Sequence, residues 1–176
     1  PVQEALAVVG VPRSLIQGWS EVAELADLPL RRVDWSLTAA QRALDQLTQA
    51  WDGDLAWLVM EEKSLRLLLF RQGVPEVDHA LDDLDPLACQ CEIRACVAAW
   101  QARVATPSAL GWWLSVPSEQ VDEWMLLVDG AAGECCLNQA LPTWAEPSDD
   151  GAAAEVTDVP SALQQLALLA LHQEER

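Results

Sequence analysis

Apolar positions in this chain follow two periods, and the densest block lies in the middle. Leu55, Ala56, Trp57, Leu58, Val59 and Met60 run without a break into Glu61, Glu62 and Lys63. A second apolar run, 65–71, ends at Gln72 and Gly73, and a third follows at 74–81. Short apolar runs separated by two or three turn residues predict consecutive antiparallel strands, here at 55–61, 64–71 and 74–81. The middle run carries Leu65, Leu67, Leu68, Leu69 and Phe70. That is too apolar for a sheet with one wet face, so burial on both faces is expected.

Beyond 81 the period lengthens. Asp85 and Pro86 make a helix start, with acids at the positive end of the dipole. Ile93, Val97, Trp100 and Val104 then form one stripe over 86–104. A strand follows at 111–116, closed by Pro117, and Ser118, Glu119 and Gln120 open a helix carrying Val121, Trp124, Met125 and Val128. Gly130 or Gly133 ends that helix. A last strand is expected at 134–140, an acidic loop at 144–158, and a closing helix from Pro160 and Ser161 to Leu171. Upstream, a short strand at 6–11 leads through Pro12 into a helix with Leu15, Trp19, Val22 and Ala26 on one face. A strand at 30–35 and a helix from Ser36 with Leu37, Ala40, Leu44, Leu47 and Trp51 complete the chain. The pattern predicts an α/β fold: a mixed five-stranded sheet with helices on its faces, strands 111–116 and 134–140 joining strand 55–61 in parallel. Chain chirality requires a right-handed crossover through helix 86–104. The start at Pro1, with an apolar strand almost at once, reads as the interior of a longer protein or a processed terminus.

Charge narrows the partners. The 176 residues carry a formal charge of −18, and Lys63 is the only lysine. Such a field repels nucleic-acid phosphates and anionic membrane surfaces, so polynucleotide binding is not expected. Five cysteines, an odd number in a chain this long, do not suggest a disulfide scaffold. No run of about eighteen apolar residues offers a membrane span. A reducing, cytoplasmic compartment is the expectation.

Several stretches together resemble the actin-like proteins of bacterial type IV pilus machinery, the PilM family, with its relatives GspL of type II secretion and the division protein FtsA. Val9 to Ile16, then Ala23 to Leu28, then Val33 and Asp34 look like that family's strand, helix and strand. Leu58 to Gly73 looks like the strand, phosphate loop and strand that open its second lobe. Residues 161–171 fall where the family has its closing helix. Three antiparallel strands feeding alternating helices and strands is also the order of the ribonuclease-H-like half of an actin-like ATPase. The resemblance implies that 1–52 is the tail of a first actin-like lobe and 53–176 a second, ribonuclease-H-like lobe.

The departures from the family bear on function. Where nucleotide-binding members have an acid, glycines and hydroxyls in the first turn of this lobe, this chain has Val59, then Glu61 and Glu62, then Lys63 and Ser64. Glycines allow backbone N–H groups to approach phosphate, and none is present here. Two carboxylates within about 5 Å of a triphosphate repel it by several kcal/mol at an effective dielectric near 20. The later adenosine loop reads Leu114, Ser115, Val116, Pro117 and Ser118, also without glycine. The expectation is a degenerate phosphate loop at 61–64, no bound nucleotide or other cofactor, and no metal.

Other candidates reduce to structural readings. Cys89 and Cys96 share a helix face while Cys91 points about 160° away at 100° per residue, and Cys135 and Cys136 face opposite sides of a strand. These do not converge as zinc ligands must. His79 and His172 have no nucleophile nearby in sequence, and Ser64 has no base, so no catalytic residue is assigned. Of nine tryptophans, Trp57, Trp100 and Trp113 fit a core. Trp19, Trp35, Trp112, Trp124 and Trp144 are expected on partner-facing surfaces, where indoles anchor interfaces.

The resemblance implies a non-catalytic cytoplasmic scaffold in pilus or secretion assembly. Its partners would be other assembly proteins, with the inner membrane reached only through them. The alternative is an active actin-like or sugar-kinase-like ATPase with a divergent loop. The N-terminal strand is expected either to form a homodimer or to lie against the second lobe.

Overall fold

A computed structural model describes residues 11–28, 35–61, 63–128, 135–139 and 161–173. The chain divides into two compact units, 1–35 and 36–176, so the break falls at 35/36 rather than at the expected 52/53. The expected strands at 6–11 and 30–35 fall almost wholly outside the described residues.

In the first unit, α1 spans Arg13–Leu25. It ends where Asp27 takes φ 54°, and the Leu28 N–H donates to the Ala23 carbonyl at 2.9 Å. That is a left-handed helix stop with Asp in the place glycine usually takes. Leu15, Trp19 and Val22 share an exposed stripe, Trp19 at 63% exposure.

In the second unit, α2 (Ser36–Leu47) is followed by β1 (Asp54–Glu61), β2 (Ser64–Arg71) and β3 (Val74–Leu81). Then come α3 (Pro86–Gln101), β4 (Leu110–Ser115), a 3-10 turn (Ser118–Gln120), α4 (Val121–Val128), β5 (Cys135–Cys136) and α5 (Ala162–Gln173). The sheet order is β3-β2-β1-β4-β5. β1 is antiparallel to β2, and β2 to β3, while β4 runs parallel to β1 and β5 parallel to β4. This is the mixed order expected from the sequence. Four strands are full length; the fifth, expected over 134–140, pairs only through Cys135 and Cys136 among the described residues.

The rest of the β4 edge is closed by a side chain. The Asn138 carboxamide accepts from the Leu114 N–H at 2.7 Å and donates to the Leu114 carbonyl at 2.8 Å. It takes the place of a strand residue and satisfies both backbone groups. The β2–β3 turn is set by Gln72 at φ 52° and Gly73 at φ 76°, the two left-handed positions of a type I′ hairpin.

Period-two alternation splits the core. Ala56, Leu58 and Met60 of β1, with Leu65, Leu67 and Leu69 of β2, face Ile93, Val97 and Trp100 of α3 and Trp124 and Leu127 of α4. Leu55, Trp57, Val59, Leu68 and Phe70 face the other way, against α2 and α5. The middle strand is thus buried on both faces, as its composition required. Small residues on α2 (Ala39, Ala40, Ala43) leave room for Leu163 and Leu166 of α5. This is why α2 belongs with the sheet and not with the first unit.

Two tryptophans expected at the surface lie inside. Trp112 is 2% exposed and Trp124 0%. Adjacent residues of a strand covered on both faces are both buried, so Trp112 and Trp113 enter opposite cores. Trp124 sits on the inner face of α4 with its indole N–H unpaired. Burying a tryptophan gives about 4–6 kcal/mol gross at about 25 cal/mol per Å². That exceeds the cost of about 1–3 kcal/mol for an unmade hydrogen bond. Trp144 lies outside the described residues.

At the amino end of β1, charges are closed in. Asp54 is 2% exposed and its carboxylate lies 3.6 Å from the Arg71 guanidinium, which also bonds Glu76 at 2.8 Å. The Trp100 indole N–H donates to Glu76 at 2.7 Å, and Arg71 stacks 4.5 Å over the Trp100 ring. Burial pushes the Asp54 carboxyl above its ordinary value, and Arg71 pulls it back only in part. A Cβ at Gly53 would meet the Ala109 carbonyl at 2.3 Å, so only glycine lets the strand start there.

Candidate functional site

The described residues leave the opposite end of the sheet open. β1 and β4 run parallel with Val59 opposite Ser115, so the β1–β2 turn and the segment after β4 lie at the same end. The two stretches singled out from the sequence, 61–64 and 114–118, are therefore brought to one edge. Ligands of open α/β sheets bind outside such carboxyl ends.

A cavity of about 730 Å³ lies there. Leu114, Ser115, Val116 and Pro117 supply one side and Met60 and Leu84 another. Ser118, Glu119, Gln120 and Val121 close it from the 3-10 turn, while Asn138, Gln139, Ser161 and Gln165 come from the chain after β5 and the start of α5. Local chemistry fixes these pieces. The Gln120 N–H donates to the Pro117 carbonyl at 2.9 Å. Ser161 and Gln164 form a reciprocal cap: Gln164 accepts from the Ser161 N–H at 2.8 Å, and Ser161 Oγ accepts from the Gln164 N–H at 3.2 Å. On the floor, Ser115 is 1% exposed and its Oγ accepts from the Trp57 indole N–H at 2.9 Å.

A nucleotide triphosphate does not fit these residues. Glu61 pairs with Ser64 across β1 and β2, and the two residues between them include no glycine to bring backbone N–H groups close to a phosphate. Ser64 Oγ donates to the Glu61 carbonyl at 3.3 Å and is thereby turned onto its own chain. Lys63 is exposed, and Glu62 lies outside the described residues. Among the described residues, the charged side chain lining the cavity is Glu119, a carboxylate. At about 5 Å each carboxylate would cost a phosphate charge about 3 kcal/mol at an effective dielectric of 20. Pro117 has no N–H to offer.

Nucleophilic and metal chemistry find no assembly either. Among the described residues no group of three His, Cys, Asp or Glu side chains converges on a metal position. Cys89 is buried, Cys91 exposed and Cys96 between, as their spacing on α3 implied. Burial pushes the thiols of Cys89 and Cys96 up, away from the reactive thiolate. His79 meets Glu92 at 2.7 Å and ties β3 to α3. No described helix is long and apolar enough to cross a membrane.

The sequence pointed to 61–64 and 114–118 but missed the other walls. Asn138, Gln139, Ser161 and Gln165 are polar residues in segments read as a strand end and a helix start. Only the folded sheet edge brings them together. Of the tryptophans put forward for partner contacts, Trp19 at 63% and Trp35 at 45% are exposed.

No family model matches the sequence, and no curated protein matches it. Among solved structures, the chain is similar to a Bacteroides thetaiotaomicron protein with an actin-like ATPase fold and unknown function, at TM-score 0.45 and 10% identity. The alignment covers 67% of this chain and 44% of that one, so the chain spans less than half that protein's length.

Proposed function

We propose that residues 36–176 form a ribonuclease-H-like lobe of actin type that binds other proteins instead of turning over nucleotide. Its place, on the sequence resemblance, is that of a cytoplasmic scaffold in type IV pilus or type II secretion assembly. Support for the lobe comes from the sheet order β3-β2-β1-β4-β5, with β2 the antiparallel member, set between β3 and the central β1. The observation that carries the proposed loss of nucleotide is the β1–β2 turn, closed by the Glu61–Ser64 pair with the Ser64 hydroxyl bonded to the Glu61 carbonyl. The exposed stripe of Leu15, Trp19 and Val22 favours work through surfaces.

A thermal-shift series with Mg²⁺ and ATP, ADP or GTP tests this. A ligand at 100 times its Kd would add about 2.7 kcal/mol and raise the melting temperature by several degrees. The proposal expects no shift at millimolar nucleotide. A clear shift would favour the reading as an actin-like or sugar-kinase-like ATPase. Purified cytoplasmic segments of inner-membrane pilus assembly proteins should bind the chain, and failure of all of them would remove the pilus assignment.

A further inference from the structure

The open cavity has a chemistry of its own. Its volume of about 730 Å³ lies within the range of about 300–1,000 Å³ that receives ligands. On the floor, the Trp57 indole can only donate, so Ser115 Oγ must be the acceptor of that bond. The Ser115 hydroxyl proton is then left over, and among the described residues no acceptor takes it. A buried donor of this kind calls for a carbonyl or similar acceptor from outside. Gln120 brings a carboxamide to the wall, and a carboxamide matches both the N–H and the C=O of a peptide bond; that of Gln139 already donates to the Leu47 carbonyl at 3.3 Å. Met60, Leu84, Val116 and Val121 add an apolar side. Glu119 supplies the charge, with Asp122 and Glu123 on the following turn.

We infer that this cavity is a docking site for a short basic segment of a partner protein, one that combines arginine or lysine with an apolar side chain. A peptide carbonyl accepts from Ser115, the basic side chain pairs with Glu119, and the apolar one rests on the Met60 side. The net charge of −18 steers such a cation in and an acidic or phosphorylated ligand away. The inference deepens the proposed binding role, rests on it, and names the partner's chemistry.

Calorimetric titration of the full chain at physiological salt tests it, using a capped hexapeptide of alternating arginine and leucine and its glutamate–leucine counterpart. The basic peptide should bind with Kd below about 100 μM and the acidic one should give no heat. Glu119→Gln should weaken binding about five-fold, the size of one partly exposed ion pair. Asp52→Asn removes the same charge at the amino end of β1, about 20 Å away at the rise of a strand, and should change Kd less than two-fold. Ala162 also lines the cavity, and Ala162→Trp, which puts an indole into that space, should abolish binding while far-UV circular dichroism stays that of the parent. No binding of the basic peptide, equal binding of both, equal effects of the two charge removals, or undiminished binding by folded Ala162→Trp would overturn the inference. Mg·ATP titrated separately distinguishes the failures: nucleotide binding tighter than about 100 μM strikes the proposed function, whatever the peptides do.

Discussion

The two ends of one sheet treat carboxylates in opposite ways. At the amino end of β1, Asp54 and Glu76 share Arg71, and the Trp100 indole bonds Glu76 and stacks against the Arg71 guanidinium. At the carboxyl end, Glu119 lines a cavity, and among the described residues the Ser118 hydroxyl, at 3.3 Å, is the one group that donates to it. A charge taken out of water must be compensated inside the protein, whereas a charge left at a rim stays available to something else. The closed end holds strands and helix together; the open end has unspent polar groups. Function is therefore to be sought at the open end.

Breaking the closed end should have the largest effect. Arg71→Met leaves two carboxylates against an indole with no cation and should cost about 3 kcal/mol. In a chain of this size that lowers the melting temperature by roughly 6–12 °C, as differential scanning calorimetry would show. A loss below about 1 kcal/mol would mean that the amino end is solvated after all.

Between the ends lies the Trp57–Ser115 bond. Trp57→Phe removes the donor and part of the buried ring volume, and should cost about 2–3 kcal/mol in urea unfolding. Asp85→Ala removes the acceptor of the Ala88 N–H at 3.1 Å at the start of α3. Loss of that cap should cost about 1 kcal/mol.

Acid sharpens the contrast further. Asp54's carboxyl lies above its ordinary 3.8 because burial disfavours its charge. As pH falls through that raised value toward 3.8, the folded state takes up the proton before the unfolded state does, so this group's contribution to stability rises. Asp83 is the reverse case. The N–H groups of Asp85 and Leu84 hold its carboxyl below 3.8, and its contribution, complete above 3.8, is lost as pH falls through the lowered value. Asp54→Asn should abolish the first effect and Asp83→Asn the second, read from melting temperatures across pH 2–6. Least of all, Glu119→Gln should leave stability within about 0.5 kcal/mol of the parent.

The same contrast shows what the sequence could and could not reveal. Strands 64–71 and 74–81 were legible to the residue, because unbroken apolar runs and the Gln72-Gly73 turn encode them locally. Burial of β2 on both faces followed from its leucines alone. Trp112 and Trp124 were misjudged because the covering of both faces by α2, α5, α3 and α4 is a tertiary fact. Helix α2 was assigned to the wrong unit for the same reason, since its alanines show a close neighbour without saying which. At the site, Glu61 and Ser64 were legible as the ends of the β1–β2 turn. Asn138 replacing a strand at the Leu114 edge, and the free hydroxyl proton of Ser115, depend on partners more than twenty residues away.

A backbone amide NMR titration of the labelled full chain, with Mg·ATP and then with the arginine–leucine hexapeptide, tests the central claim most directly. The account predicts that ATP leaves the amides of Glu61, Lys63 and Ser64 unmoved, while the peptide shifts those of Ser115 to Val121 and Asn138. Shifts at the β1–β2 turn with ATP, saturating at micromolar concentration, would contradict it and favour a nucleotide-binding role.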